Sequence, residues 1–345
     1  MKKLLLFSLL ILPLTLFAKI WIVDSNPGSA SKDFTNLQEA HDGASAGDTL
    51  YLIGSSVSYI SAKVTINKRI VIIGPGYFLN NPETQVSLLP ATLGLTTTFC
   101  TEAGIEFVAG SEGSAVMGLT FNCLVRANTS NILIKRNHFI GIGFCPPAYL
   151  FAASGSNVSV VQNYFQTNNN IGGIYIPTGF SNIALRNNYI SGLFISGGST
   201  PAIRTEGSGV EISNNVITMN VFTSNALFQN NICIAGGFTS NTSVVRNNMH
   251  VNNSVFPAGN DNVNDVAFAS IFVGTGTTDG QWKLKDDSPA IGSGYNGTDM
   301  GIFGGAEPYV LSGIPPIPTI YGLEAPLTGE KNTGLPIEIK AKSNN

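Results

Sequence analysis

Charge is scarce in this chain. Asp, Glu, Lys and Arg together make up 11% of its 345 residues, against roughly 25% in a typical soluble domain. The net charge of −3 and the pI near 5.6 leave no basic footprint, so nucleic acid is not an expected partner. Acidic residues are missing altogether between Gly113 and Arg204. The three histidines, His41, His138 and His250, lie far apart and lack zinc-ligand spacing. There is no Ser/His/Asp signature and no phosphate-binding loop. Beyond the first 18 residues no long apolar run occurs, and no membrane span is expected there. Disorder does not fit either. It requires high charge and few apolar residues, whereas 43% of this chain is hydrophobic.

The amino terminus has its own pattern. Lys2 and Lys3 precede the apolar stretch Leu4 to Phe17, which ends at Ala18. A basic start, a short apolar run and a small residue at the cut read as a secretory signal peptide over residues 1–18. The expected location is therefore outside the cytoplasm, secreted or in the cell envelope.

Asparagine and glycine are plentiful, at 35 and 38 residues. The asparagines recur in phase. Asn131-Ile-Leu-Ile-Lys-Arg-Asn137-His-Phe139 matches Asn157-Val-Ser-Val-Val-Gln-Asn163-Tyr-Phe165 and Asn182-Ile-Ala-Leu-Arg-Asn-Asn188-Tyr-Ile190. Gly209 to Ile217 and Asn225 to Cys233 continue the series. A weaker copy runs from Thr242 to Asn248, with Asn247 as a rival register. The seventh position is Asn137, Asn163, Asn188, Asn215, Asn231 and Asn248, at spacings of 26, 25, 27, 16 and 17.

The second, fourth and ninth positions of each copy are mostly apolar, which marks strands with one buried face. The seventh-position Asn is expected in a tight turn between two short strands, because Asn tolerates the left-handed backbone. Its amide both donates and accepts, so successive copies can form an asparagine ladder. A unit of about 25 residues cannot bury its own apolar face and must stack on the next copy. The expected fold is an all-β, single-stranded parallel β-helix, a solenoid with rungs about 4.8 Å apart.

These copies resemble the repeats of right-handed parallel β-helix proteins, the pectate-lyase-like superfamily. Two further segments carry the resemblance. Phe34-Thr-Asn-Leu-Gln-Glu-Ala40, followed by Gly47-Asp-Thr-Leu-Tyr-Leu-Ile-Gly54, resembles the short helix that caps the coil mouth and the first strands. Asp287-Ser-Pro-Ala-Ile-Gly292 and Asp299-Met-Gly-Ile-Phe-Gly304 resemble a closing coil of secreted bacterial members. The resemblance covers residues 19–310 and implies a fold, not an activity. Residues 311–345 differ: Pro315, Pro316 and Pro318 make a stiff connector, and an alternating stretch from Leu335 to Lys342 suggests a strand paired with Ile320–Leu323 in a terminal hairpin.

The resemblance also says what catalysis would need. Lyases of this fold hold Ca²⁺ with several carboxylates and use Arg or Lys as base, and the glycosidases use two or three carboxylates. The acid-free central coils speak against both. The reading is a secreted protein without catalysis that binds carbohydrate or serves at a surface, with no cofactor required. The alternative is a polysaccharide lyase or glycoside hydrolase with its site on terminal coils or loops. A third reading is a surface layer built by pairing exposed end strands. Candidate ligand-binding residues are a basic stripe for an acidic polysaccharide, Lys135, Arg186, Arg204 and Arg246, against the alternative of a solvated face, and a tyrosine platform, Tyr164 and Tyr189, whose flat faces suit sugar rings, against the alternative of packing on a neighbouring loop. Asp261, Asp265 and Asp299 form the candidate acidic cluster for Ca²⁺ or a carboxylate pair, against the alternative of turn capping. Cys100, Cys123 and Cys145, about one coil apart, could pair as disulfides or stack as small buried side chains, while Cys233 is expected to be buried.

Overall fold

The computed structural model describes residues 18–344 except 31, 81–88, 96–102, 142–148, 168–170, 192–200, 252, 330 and 333. Cys100 and Cys145 lie outside the described residues, as does most of the expected leader.

The chain is a right-handed parallel β-helix. Three parallel sheets of 10, 9 and 8 strands run its length. They are called here sheets A, C and B, in the order one coil visits them. In a representative coil, Val158–Val161 belongs to sheet A, Tyr164–Gln166 to sheet C and Gly172–Ile176 to sheet B. Registers hold from rung to rung: Val160 sits beside Ile134 and Leu185, and Phe165 beside Phe139 and Ile190.

The repeat pattern explains the geometry. Fourth-position side chains Ile134, Val160, Leu185, Ile212 and Phe228 fill the sheet A side of the core. Ninth-position Phe139 and Phe165 stack face to face, 4.3 Å between centroids, and Phe121 extends the stack at 5.0 Å. Each such aromatic buries enough apolar surface to contribute about 2–3 kcal/mol. Cys233 continues this inward column and is buried, as expected.

The turn chemistry differs from expectation in one respect. The left-handed residue is not the ladder Asn but the residue before it: Arg136, Gln162, Asn187, Asn214, Asn230 and Asn247 have φ between 48° and 60°. A second left-handed corner falls at the first position, on Asn131, Asn157, Asn182, Gly209, Asn225 and Thr242, where sheet B turns into sheet A. The ladder Asn itself keeps ordinary backbone and points inward, fully buried in all six copies. The rival register is thereby resolved: Asn248 is the rung and Asn247 the corner. Asn262 adds a seventh rung, accepting from Asn248 Nδ2 at 3.0 Å.

Coil length varies in the connection from sheet C to sheet B. It takes 11 residues between Ser191 and Ile203 but only 3 between Ile217 and Val221. This is the main reason the ladder spacing drops from 27 to 16. The amino-terminal mouth is closed by helix α1, Leu37–Gly43, whose cap Asn36 accepts from Glu39 N and whose Leu37 and Ala40 enter the core. At the far end Phe256 packs on Phe228 and Phe238.

The expected closing coil is not one. Residues 268–314 add no strand to the three sheets. They fold back along the outer face of sheet C and the corner beside it, toward the first coils. The reason is apolar: sheet C is hydrophobic on its outside too, with Tyr164, Tyr189, Val216, Ile232 and Met249 in one outward column. Ile271, Phe272, Ala290, Met300, Ile302 and Tyr309 cover that column to make a second core. The corner residues anchor the strap. Asn247 reaches Ser293 O, Asn230 reaches Thr298, Asn214 reaches Asp299 O, Asn187 reaches Ile302 O and Gly304 O, Gln162 reaches Pro308 O, and Arg136 reaches Ile314 O. The hairpin follows: Thr319–Glu324 pairs antiparallel with Glu338–Lys342, Leu323 opposite Ile339. No helix among the described residues is long and apolar enough to cross a membrane.

Candidate functional site

The basic stripe divides between two sheets. Lys135, Arg186 and Arg246 do share one outward column on sheet A, interleaved with Val161, Ser213 and Gln229. Arg204 lies elsewhere, on sheet B. The sheet A cations also have partners within the protein. Lys135 Nζ lies 3.3 Å from Glu307, Arg186 pairs with Glu211, and Arg246 hydrogen-bonds Gln229 at 3.0 Å with its guanidinium 3.5 Å from the centre of the Tyr295 ring. Two of the three charges are paired with acids within the protein, and Arg246 is held by Gln229 and the Tyr295 ring.

The expected tyrosine platform is covered. Tyr164 and Tyr189 stack at 4.4 Å, but they are only 4% and 5% exposed. Trp282 of the strap lies on Tyr189 at 4.6 Å. Burial pushes the Tyr164 phenol up to about 12. These rings hold the strap and face no solvent.

The acids do not converge. Asp261 is an exposed turn residue with φ of 55°, and Asp265 is exposed within the strand Val263–Val266, with φ of 60°. Asp299 Oδ1 accepts from Gly292 N at 2.9 Å within the strap. Among the described residues no three His, Cys, Asp or Glu side chains gather at a metal-sized site. The fully buried Asp279, another of the acids that return after the acid-free coils, accepts from Tyr309 Oη and Ser312 N, and Tyr309 meets Tyr77 at 2.6 Å; this chain ties the strap to an early coil.

The outer face of sheet B carries a different constellation. Its outward column runs Thr65, Glu106, Arg126, Ala152, Tyr175, Arg204, Phe222 and Thr239. No strap covers it. Tyr149 stacks on Tyr175 at 5.1 Å and 21°, its ring filling the space that Gly172 leaves by having no Cβ. The Arg204 guanidinium is 6.0 Å from the Tyr175 ring centre and 5.5 Å from that of Phe222. Glu206 fixes both ends: Arg204 Nε donates to it at 2.8 Å and the Tyr175 hydroxyl at 3.2 Å. The Tyr175 phenol is pushed up by partial burial and by the Glu206 carboxylate beside it.

Tyr149, Tyr175 and Phe222 escaped sequence reasoning because sheet B strands carry no phased Asn. The available signal was the triplet of inward aliphatic or threonine flanks around one outward residue in Ile174-Tyr-Ile176, Ile203-Arg-Thr205 and Val221-Phe-Thr223. No known family model matches this chain, and no curated protein matches it in sequence.

Proposed function

We propose that this is an exported binding protein of the pectate-lyase-like kind of β-helix, holding carbohydrate on the outer face of sheet B without catalysis. The observation that carries the reading is the row Tyr149, Tyr175, Arg204 and Phe222, with Glu206 clamping its middle. Flat aromatic faces suit the apolar faces of sugar rings, and Arg204 and Glu206 offer a donor and an acceptor beside them. Because the two charges offset each other, the row favours a neutral polysaccharide over an acidic one. The nearest carboxylate along this outward column is Glu106, four strands from Arg204. At about 4.8 Å per strand it stands about 19 Å away. Glycosidase carboxylates work about 5–9.5 Å apart. Glu106 is also occupied by Lys63 and Arg126.

Titration calorimetry of the exported protein with soluble neutral and acidic polysaccharides tests this. Binding to a neutral polymer that weakens at least about tenfold in Tyr175→Ala, the loss of one stacking contact, is the expected result. Binding that survives Tyr175→Ala and Phe222→Ala, or release of sugar fragments on incubation, overturns it.

A further inference from the structure

Asp48 is a buried carboxylate with no cation in ion-pair contact among the described residues: burial pushes its carboxyl up, but hydrogen bonds from Lys19 N, Trp21 Nε1 and Ser45 N and the more distant Lys19 ammonium together hold it below the usual carboxylate range. It is 4% exposed and sits where the first coil begins. Its oxygens accept three hydrogen bonds at 2.8 Å, from Lys19 N, Trp21 Nε1 and Ser45 N. All three donors are neutral, and no Lys, Arg or His forms an ion pair with Asp48 among the described residues. A carboxylate so placed is costly unless a counter-charge meets it. One of the three donors can become a cation: the amide nitrogen of Lys19 is the first atom of the chain after Ala18.

We propose that hydrolysis of the Ala18–Lys19 bond creates a structural site, in which the new α-ammonium of Lys19 pairs with Asp48 and locks the first strand. The step consumes one water. The C–N bond breaks, Ala18 takes the oxygen as a carboxylate, and the Lys19 nitrogen leaves as an amine that is protonated at neutral pH. A peptidase acting after a small residue supplies the catalysis. Nothing needs to move afterwards. The nitrogen already lies 2.8 Å from Asp48 Oδ1, the Lys19 carbonyl accepts from Thr49 N at 2.8 Å, and Ile20–Val23 pairs in register with Thr49–Leu52. The Lys19 side chain folds back over the Trp21 ring, Nζ 3.1 Å from its centre, and acts on Asp48 only at a distance, without an ion pair. Lys19, Trp21, Ser45, Asp48 and Arg69 line a cavity of about 410 Å³ at this point, where a free terminus has room. The inference rests on the export reading above and adds a use for the cut.

Two measurements separate the parts. Intact mass of the protein recovered after export should begin at Lys19; a retained leader overturns the proposal together with the export reading, and a cut elsewhere overturns the proposal alone. Thermal melting of the chain starting at Lys19 is then compared with one starting at Ala18, each with and without Asp48→Asn. Asp48→Asn should lower Tm by at least about 2 °C in the first and by clearly less in the second, where the ammonium is one residue away. Equal losses in both chains overturn the ion pair while leaving the cut intact. The two unsubstituted chains give an independent readout. An amine paired with a carboxylate titrates above its usual value near 8. Its contribution is therefore complete below pH 8 and lost as pH rises through the raised value. The Tm advantage of the Lys19 chain should vanish by about pH 10–11; an advantage that persists there, or none at pH 7, overturns the ion pair.

Discussion

Asn163 Nδ2 donates to Asn188 Oδ1 at 3.0 Å, and the same oxygen accepts the backbone N–H of Asn163 at 2.9 Å. Asn188 repeats both bonds to Asn215 and adds one to Val160 O. Each rung thus orients the next, in a site that excludes water.

Replacing a middle rung orphans donors and acceptors on both sides. Each buried unsatisfied group costs about 1–3 kcal/mol, so Asn188→Ala should destabilise by about 3 kcal/mol. Asn262, the half-buried last rung, should lose less on the same change. Urea unfolding of the two variants decides. A loss under about 1 kcal/mol at Asn188 means the ladder adds little to stability.

The first-position corner makes a cleaner test of backbone preference. Asn182 is exposed, has φ of 57°, and bonds to Asn157 through its amide. Asn182→Gly keeps the left-handed corner open and should change stability by less than about 1 kcal/mol. Asn182→Val forces a β-branched residue into the same corner and should cost about 1–3 kcal/mol. Melting curves for both variants check the ordering; a reversed order would show that the amide bond, not φ, selects Asn here.

The ladder was legible because one Asn keeps its phase and its neighbours alternate; its two left-handed corners were not, since that phase points to the ladder Asn itself as the turn residue rather than to the residue before it and the first position. The strap was not. Nothing periodic links Trp282 or Met300 to the coils, and the apolar outward column Tyr164, Tyr189, Val216, Ile232 and Met249 reads in sequence like any strand residue. The exposed-platform reading of Tyr164 and Tyr189 failed for that reason: outward from a coil is not outward from the protein once a later segment lies on it. Likewise, Lys135 and Arg186 looked free because their acidic partners, Glu307 and Glu211, are 172 and 25 residues away in sequence. Arg204 was grouped with them because sheet membership cannot be read where the connections change length.

The strap should answer to a single aromatic. Trp282 stacks on Tyr189 and meets Phe268 and Phe272 edge-on. Trp282→Ala removes this contact at a half-buried site, and a cost of about 3 kcal/mol follows from large-to-small changes of this kind. The near-ultraviolet dichroism of the stacked tyrosines should fall while the far-ultraviolet β signal stays. Loss of both signals together would mean that the coils cannot stand without the strap.

Acid should act through His138. Its ring lies between Tyr77, Phe78 and Tyr164, and burial holds the imidazole down to about 4. The unfolded chain takes up this proton near pH 6.5. Above that value both states are neutral and His138 has no effect on the pH profile. As pH falls from 6.5 toward 4 the unfolded state gains a proton that the folded state refuses, and stability drops by up to about 3 kcal/mol. His250, also buried and also held down, contributes a loss of the same sign, so the His138 part must be taken by difference. His138→Phe, which keeps a ring in the pocket, should flatten the profile between pH 6.5 and 4 relative to the unsubstituted protein. Proton resonances of the His138 ring should not titrate above about pH 5. A midpoint near 6.5 in that titration would show that the ring meets water and that the strap does not seal sheet C.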